Sequence, residues 1–169
     1  IKQISVFVEN KPGSMNAMTK VLADHNIDMR ALSLAETKDF GIVRLIVDDV
    51  FTASTVLKDA GYVHTLTPVV GVMIPDTPGG LNKVLQVLAE SGANVEYMYA
   101  FLGGKDAAHA YMIFHVQDVT AAVAALADTE IIITGPNGPG DTQSMAHEEW
   151  ARRLNEMGGW NAKALVSSE

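Results

Sequence analysis

A phrase that occurs twice limits the folding of this chain more than any other feature. Val6-Phe-Val-Glu-Asn-Lys-Pro-Gly-Ser-Met-Asn returns 66 residues later as Val72-Met-Ile-Pro-Asp-Thr-Pro-Gly-Gly-Leu-Asn. Aligned without gaps, residues 6–35 and 72–101 share seven identities: Val6, Pro12, Gly13, Asn16, Val21, Leu22 and Ala23. Most of the other differences exchange one apolar residue for another. A repeat of this length is a duplicated folding unit, so the 169 residues divide into two small units.

Hydrophobic periodicity gives each unit its order of elements. Ile4, Val6 and Val8 alternate with Ser5, Phe7 and Glu9, the period of a strand. Met15, Met18, Val21, Leu22 and Ala23 then follow helical spacing, with Asn26 as the stop. Residues 28–36 read as a second strand, 38–41 as a turn and 42–47 as a third strand. Ala53, Val56, Leu57 and Ala60 mark a second helix that ends at Gly61, and 62–66 read as a fourth strand. The second copy repeats this order, with strands near 69–74, 94–102, 108–116 and 130–134 and helices near 79–91 and 119–127. Three extra residues enter its turn around Gly103-Gly104-Lys105. The order β-α-β-β-α-β predicts an α+β fold of two ferredoxin-like units, residues 1–67 and 68–134. Each has an antiparallel sheet with both helices on one face.

The other sheet face carries Ile42, Arg44 and Ile46 in one copy and His109, Tyr111, Ile113 and His115 in the other. That is too apolar to stay wet, so something is expected to cover it. Residues 135–169 offer a candidate. A Gly-Pro-rich linker, 135–140, precedes a helical extension over 141–157 with Met145, Trp150, Leu154 and Met157 near one side. It is expected to dock on a sheet face.

The repeated corners could carry chemistry. Pro12 and Pro78 lack an N–H and fix φ, which suits the first turn of a helix. Gly13 and Gly79 lack a Cβ, so another group can approach the backbone. The amides of Gly13, Ser14 and Met15, and of Gly79, Gly80 and Leu81, would face a bound carboxylate at the positive helix end. Asn10 and Asp76 precede them and read either as helix caps or as ligand contacts.

These residues resemble the ACT domain, here as a tandem pair over about residues 2–134. The resemblance lies in Glu9-Asn-Lys-Pro-Gly-Ser-Met with Asn26-Ile-Asp-Met, and in Pro75-Asp-Thr-Pro-Gly-Gly-Leu with Gly92-Ala-Asn-Val. It implies a small-molecule sensing module, most often for amino acids, with the ligand in a seam between two units. Carried over by position, the polar ligand contacts fall on Asn10 and Asp76 in the first loops and on Asp28 and Asn94 opening the second strands. An apolar ligand side chain would rest against Met15, Leu81, Val95 or Ala31. Val8 and Ile74 stand where serine-sensing relatives carry a histidine.

Other functions find less support. With no cysteine, thiolate metal sites, disulfides and cysteine nucleophiles are excluded. His109 and His115 lie roughly 20 Å apart along one strand, too far to share a metal. Net charge is −8, and residues 67–134 carry 2 basic against 7 acidic side chains, which disfavours a phosphate backbone as partner. RNA-recognition motifs share the element order, but their basic-Gly opening is missing here. Tyr97, Tyr99 and Phe101 read instead as core or seam residues. No catalytic frame is visible, so a non-enzyme with no cofactor and no metal is expected. No stretch is long and apolar enough for a membrane span, and a cytoplasmic location follows by default. The expected protein is a homodimeric regulatory module for an amino acid or similar zwitterion, with a metabolic enzyme or regulator as its partner. The alternative is a subunit that binds no ligand and acts through its sheet face and tail helix.

Overall fold

The alternation at the start of the chain becomes a strand because Ile4, Val6 and Val8 are all buried on one face. The computed structural model describes residues 1–100, 109–129 and 131–134. In it β1 spans Lys2–Glu9, followed by α1 (Ser14–Asp24), β2 (Met29–Glu36), β3 (Phe40–Val47), α2 (Val50–Asp59) and β4 (His64–Pro68). The second unit repeats the pattern as β5 (Val70–Pro75), α3 (Gly80–Glu90), β6 (Val95–Ala100), β7 (His109–Val116), α4 (Val119–Ala127) and β8 (Ile132–Thr134). The sheets run in the orders β2-β3-β1-β4 and β6-β7-β5-β8. Every pairing is antiparallel. These are two ferredoxin-like units, as the element order predicts.

Local chemistry sets the ends of the elements. Asn26 stops α1 by taking a left-handed conformation, φ 55°, which a short amide side chain tolerates better than most. Asp49 and Asp118 cap α2 and α4 by accepting from the N–H groups of Thr52 and Ala121. The fourth strand begins later than its apolar pattern suggests. Tyr62 N–H is drawn back to Leu57 O at 2.9 Å to close α2, so contact with β1 begins at Val63, whose carbonyl accepts from Phe7 N–H at 2.9 Å, and the strand register at His64. The third strand begins earlier, because Phe40 and Gly41 pair with Glu9 and Val8 instead of staying in the turn.

Each unit buries the helix-facing side of its sheet. Ile4, Val6, Leu45, Met18, Leu22 and Leu57 form one core. Val72, Phe114, Val84, Leu88, Val123 and Leu126 form the other. A third cluster, Ala31, Ile46, Val69, Tyr99 and Ile113, joins the opposite faces of the two sheets. Over this area each unit supplies the cover that the sequence assigned to the tail. The 135–140 linker, the 141–157 helix with Trp150, the Gly103-Gly104-Lys105 turn and Phe101 lie outside the described residues.

Candidate functional site

Both repeated corners enter their helices through a glycine in the left-handed region. Gly13 has φ 88° and Gly79 φ 89°, and each occupies the N-cap position with no side-chain cap. A side chain with a Cβ is strained there, which explains the Pro-Gly pair in both copies. Asn10 and Asp76 therefore do not cap α1 and α3. Within the loops, Ser14 N–H donates to Lys11 O at 3.3 Å and Gly80 N–H to Thr77 O at 3.0 Å.

At the first corner the backbone sorts the side chains. Lys11 N–H donates to Glu9 O at 3.0 Å, a turn centred on Asn10. Asn10 itself faces the β2–β3 hairpin: its N–H donates to Asp39 O at 3.1 Å, and its Nδ2 to Thr37 O at 3.1 Å. Glu9 and Lys11 are thrown to the other side and form an exposed ion pair. They border a cleft of about 590 Å³ between the first corner and the α2–β4 connection. Pro12, Gly13 and Ser14 line it on one side, with Phe7, Tyr62 and Val63 opposite. Phe7 is 38 % exposed and Val63 70 %, so this wall is open. Of the ligand positions expected from sequence, Pro12, Gly13 and Ser14 reach this cleft, and Asn10 is not among its lining residues.

The second corner is built more tightly. Gly80 is buried, and a Cβ there would lie 2.2 Å from Pro75 O. Ser14, its counterpart, carries a side chain without difficulty. Asp76, Pro78 and Gly79 are exposed on the loop. Leu81 packs against the second core and Met15 against the first.

The second-strand positions do not join the corners of their own units. Register places Glu9 opposite Phe40 and Met29 opposite Val47, the two ends of β3. Asn10 and Asp28, one residue further out at either end, thus lie roughly 30 Å apart along the sheet. Asp28 pairs with Arg30 Nη1 at 3.2 Å, and Asn94 is exposed at the matching place in the second unit. Val95 packs in the second core and Ala31 is sealed between the sheets. A site combining Asn10 with an Asp28-type residue needs a further unit beside the first.

The seam between the sheets is occupied by the chain's own side chains. Gln3 is fully buried; its Nε2 donates to Ser5 Oγ at 2.9 Å and Tyr97 Oη at 2.8 Å. Its Oε1 accepts from Tyr99 Oη at 2.8 Å. Burial holds the Tyr99 phenol well above its usual pKa, with Tyr97 adding to the shift and Arg44 opposing it. The Arg44 guanidinium lies 4.0 Å from the centre of the Tyr97 ring. The His115 ring stacks on Tyr97 with centroids 4.7 Å apart, and its Nδ1 lies 3.0 Å from Glu96 Oε2. Tyr111 is only 4 % exposed, so its ring is not presented for stacking against a nucleotide base.

One pairing was not legible from the sequence. Ser54 Oγ lies 2.7 Å from His64 Nε2, and His64 Nδ1 faces Tyr62 O at 3.3 Å. The second ring nitrogen meets a carbonyl and not a carboxylate, and the pair ties α2 to β4. No group of His, Asp and Glu able to hold a metal occurs among the described residues. None of the helices among those residues is long and apolar enough to cross a membrane.

A family model described as an ACT domain pair matches residues 1–133. A crystal structure of a protein from Bacteroides thetaiotaomicron is 37 % identical, with TM-score 0.76, covering 80 % of this chain and 92 % of its own. The ligand-free regulatory subunit of aspartate kinase from Thermus thermophilus is 20 % identical, with TM-score 0.57, over 75 % of this chain and 91 % of that one. The corresponding subunit from Thermus flavus is 20 % identical, with TM-score 0.54, over 75 % and 90 %. At these lower identities the likeness concerns the fold. No match is found among curated proteins.

Proposed function

This chain belongs to the ACT domain pair family, and from that premise we propose that it is a regulatory module that binds an amino acid at its Pro-Gly corners. The observation that carries the reading is the match to a domain pair across residues 1–133. The uncapped start of α1, with open space beside it, supports it. Backbone amides and the positive helix end suit a carboxylate, while acidic side chains suit an ammonium. The chain acts by binding and not by catalysis, in the cytoplasm. It passes the ligand's presence to a metabolic enzyme or regulator by favouring one arrangement of units. The effect on that partner cannot exceed the ligand's differential affinity for the two arrangements.

Sites that pair Asn10 with an Asp28 position, or Asp76 with an Asn94 position, at contact distance would draw the two from equivalent units of two chains, because one unit holds them far apart. A homodimer is the simplest assembly that supplies them, and the edge strands β2, β4, β6 and β8 leave main-chain groups for it. Calorimetric titration of the full chain with the twenty amino acids tests the reading. Heat from one of them is the expected result, and its loss in Asn10→Ala or Asp76→Ala would assign the ligand to the positions carried over from the sequence. Sedimentation at tens of micromolar should show a dimer, and a monomer would remove the inter-chain sites.

A second reading rests on the part of the first sheet that the seam leaves bare. Phe7, Phe40 and Val63 are 38 %, 43 % and 70 % exposed. A module that binds no ligand would use this surface for protein contact. Silence across all twenty amino acids, with a partner lost on Phe7→Ser, would favour it.

A further inference from the structure

We infer that the ligand site proper to one chain is the cleft of the first unit alone, and that it takes a net-neutral zwitterion with an apolar side chain. The inference rests on the ligand-binding reading above and names a site which that reading does not contain. It involves Glu9, Lys11, Phe7, Tyr62 and Val63, none of them positions that the sequence singled out as ligand contacts.

The charges come first. Among the described residues that line the cleft, Glu9 and Lys11 carry the charges, one of each sign. The turn at Asn10 brings them together on the cleft side. Their side chains are 69 % and 64 % exposed, and an ion pair so exposed contributes little, so parting it costs little. A ligand with one ammonium and one carboxylate inserts between them and replaces one weak pair by two charge-assisted contacts. A ligand of net charge would leave one partner unmet.

The walls fix the remainder. Phe7, Tyr62 and Val63 present an apolar surface beside the charged pair. Two of them remain exposed large hydrophobics in the free chain, surface that an apolar ligand side chain would remove from water. A cleft of about 590 Å³ lies within the range of small-molecule sites.

The second unit repeats the corner but not the site. Pro75 and Thr77 stand at the positions of Glu9 and Lys11, so the charges are absent. Gly80 lies against Pro75 O, where the counterpart of Ser14 would collide. Duplication has therefore kept the backbone corner in both units and the charged cleft in one. One ligand per chain is the expected stoichiometry.

The test is isothermal titration of the full chain with each of the twenty amino acids. It is repeated with 4-methylpentanoate and 3-methylbutylamine, which each keep one charge of leucine. The expected result is one apolar amino acid bound per chain, with both single-charge analogues weaker. Glu9→Gln and Lys11→Thr should each weaken it about tenfold, and Lys11→Arg should largely restore it. Binding that survives Glu9→Gln and Lys11→Thr but is lost in Asp76→Ala overturns the cleft assignment and leaves the regulatory reading standing. Binding confined to charged amino acids overturns the assignment in the same way. No heat from any of the twenty overturns both. Because Glu9 and Lys11 are exposed, the variants should keep the wild-type melting temperature, which is measured alongside.

Discussion

Among single residues, Gln3 and Tyr99 show how a buried polar group becomes a fixed part of a seam. Gln3 has no solvent contact, and Ser5, Tyr97 and Tyr99 together satisfy its amide. Tyr99→Phe removes the donor to Gln3 Oε1 and leaves that oxygen buried without it. The expected cost is about 1–3 kcal/mol, read as a lower denaturation midpoint with little change in slope. The substitution also has a pH signature. Burial raises the Tyr99 pKa above its unfolded value of about 10. The folded chain therefore holds a proton that the unfolded chain releases. Stability is full below that pH and falls as pH rises above it, and Tyr99→Phe should flatten this alkaline decline. Sequence alone placed Tyr97 and Tyr99 in the core or the seam, which is where they lie, because aromatic residues alternating in a strand must be covered. It gave no sign of Gln3 as their partner, since a glutamine in an amino-terminal strand carries no signal of burial until the second sheet is in place. The direction Asn10 faces was not legible for a similar reason. Its side chain is short and polar, and only the hairpin opposite, through Thr37 O, decides which way it turns.

For whole elements, the starts of the helices separate scaffold from site. The second helix of each unit is closed by an aspartate, and the first helix is left without a side-chain cap. Asp49 accepts from the Thr52 hydroxyl at 2.6 Å and its N–H at 3.0 Å, and these bonds, the hydroxyl first, hold its pKa below the usual value. The stability it gives is present above pH of about 4 and is lost as pH falls through its lowered pKa. Asp49→Ala should cost about 1 kcal/mol at neutral pH and make the decline below pH of about 4 shallower, both measurable by denaturation at a series of pH values. The tight second corner gives a sharper contrast. Gly80→Ala must displace a backbone carbonyl that its Cβ would approach to 2.2 Å. The cost should be about 2 kcal/mol or more, in the range of core strain. Ser14→Gly at the matching place should cost only the extra chain entropy, about 0.5–1 kcal/mol. A pair of thermal melts checks both. The order of elements was legible because each strand and helix has a clear period, and Asn26 and Gly61 mark helix ends. The difference between the corners was not, because Pro-Gly-Ser and Pro-Gly-Gly read alike until the distance to Pro75 O is known.

In the molecule as a whole, the two units are joined through sheet faces, and this fixes what each can do alone. A sheet with helices on one side leaves its other face to be covered, and here Ala31 and Ile46 meet Tyr99 and Ile113. The sequence signalled the need for cover, through Ile46, Tyr111 and Ile113, but not its source. Any apolar surface would have met the requirement, and the tail was one such surface. Arg44 shows how the arrangement is oriented as well as buried. Its guanidinium lies over Tyr97 of the other unit, a contact worth about 0.5–2 kcal/mol when partly desolvated. Residues 1–68 made as a separate chain would lose this contact, expose Ala31 and Ile46, and leave Gln3 without two of its three partners. The separated unit should be less stable than the pair, bind an environment-sensitive apolar dye, and self-associate as its concentration rises. Ile46→Lys should suppress the self-association of the separate unit while destabilising the full chain, since the same side chain is uncovered in one and sealed in the other. Sedimentation and dye fluorescence on the four proteins read this directly. A separate unit that stays monomeric, dye-silent and as stable as the pair would mean that the seam contributes little. In that case the two units would be tethered neighbours, and ligand at the first corner would have no rigid route to the second.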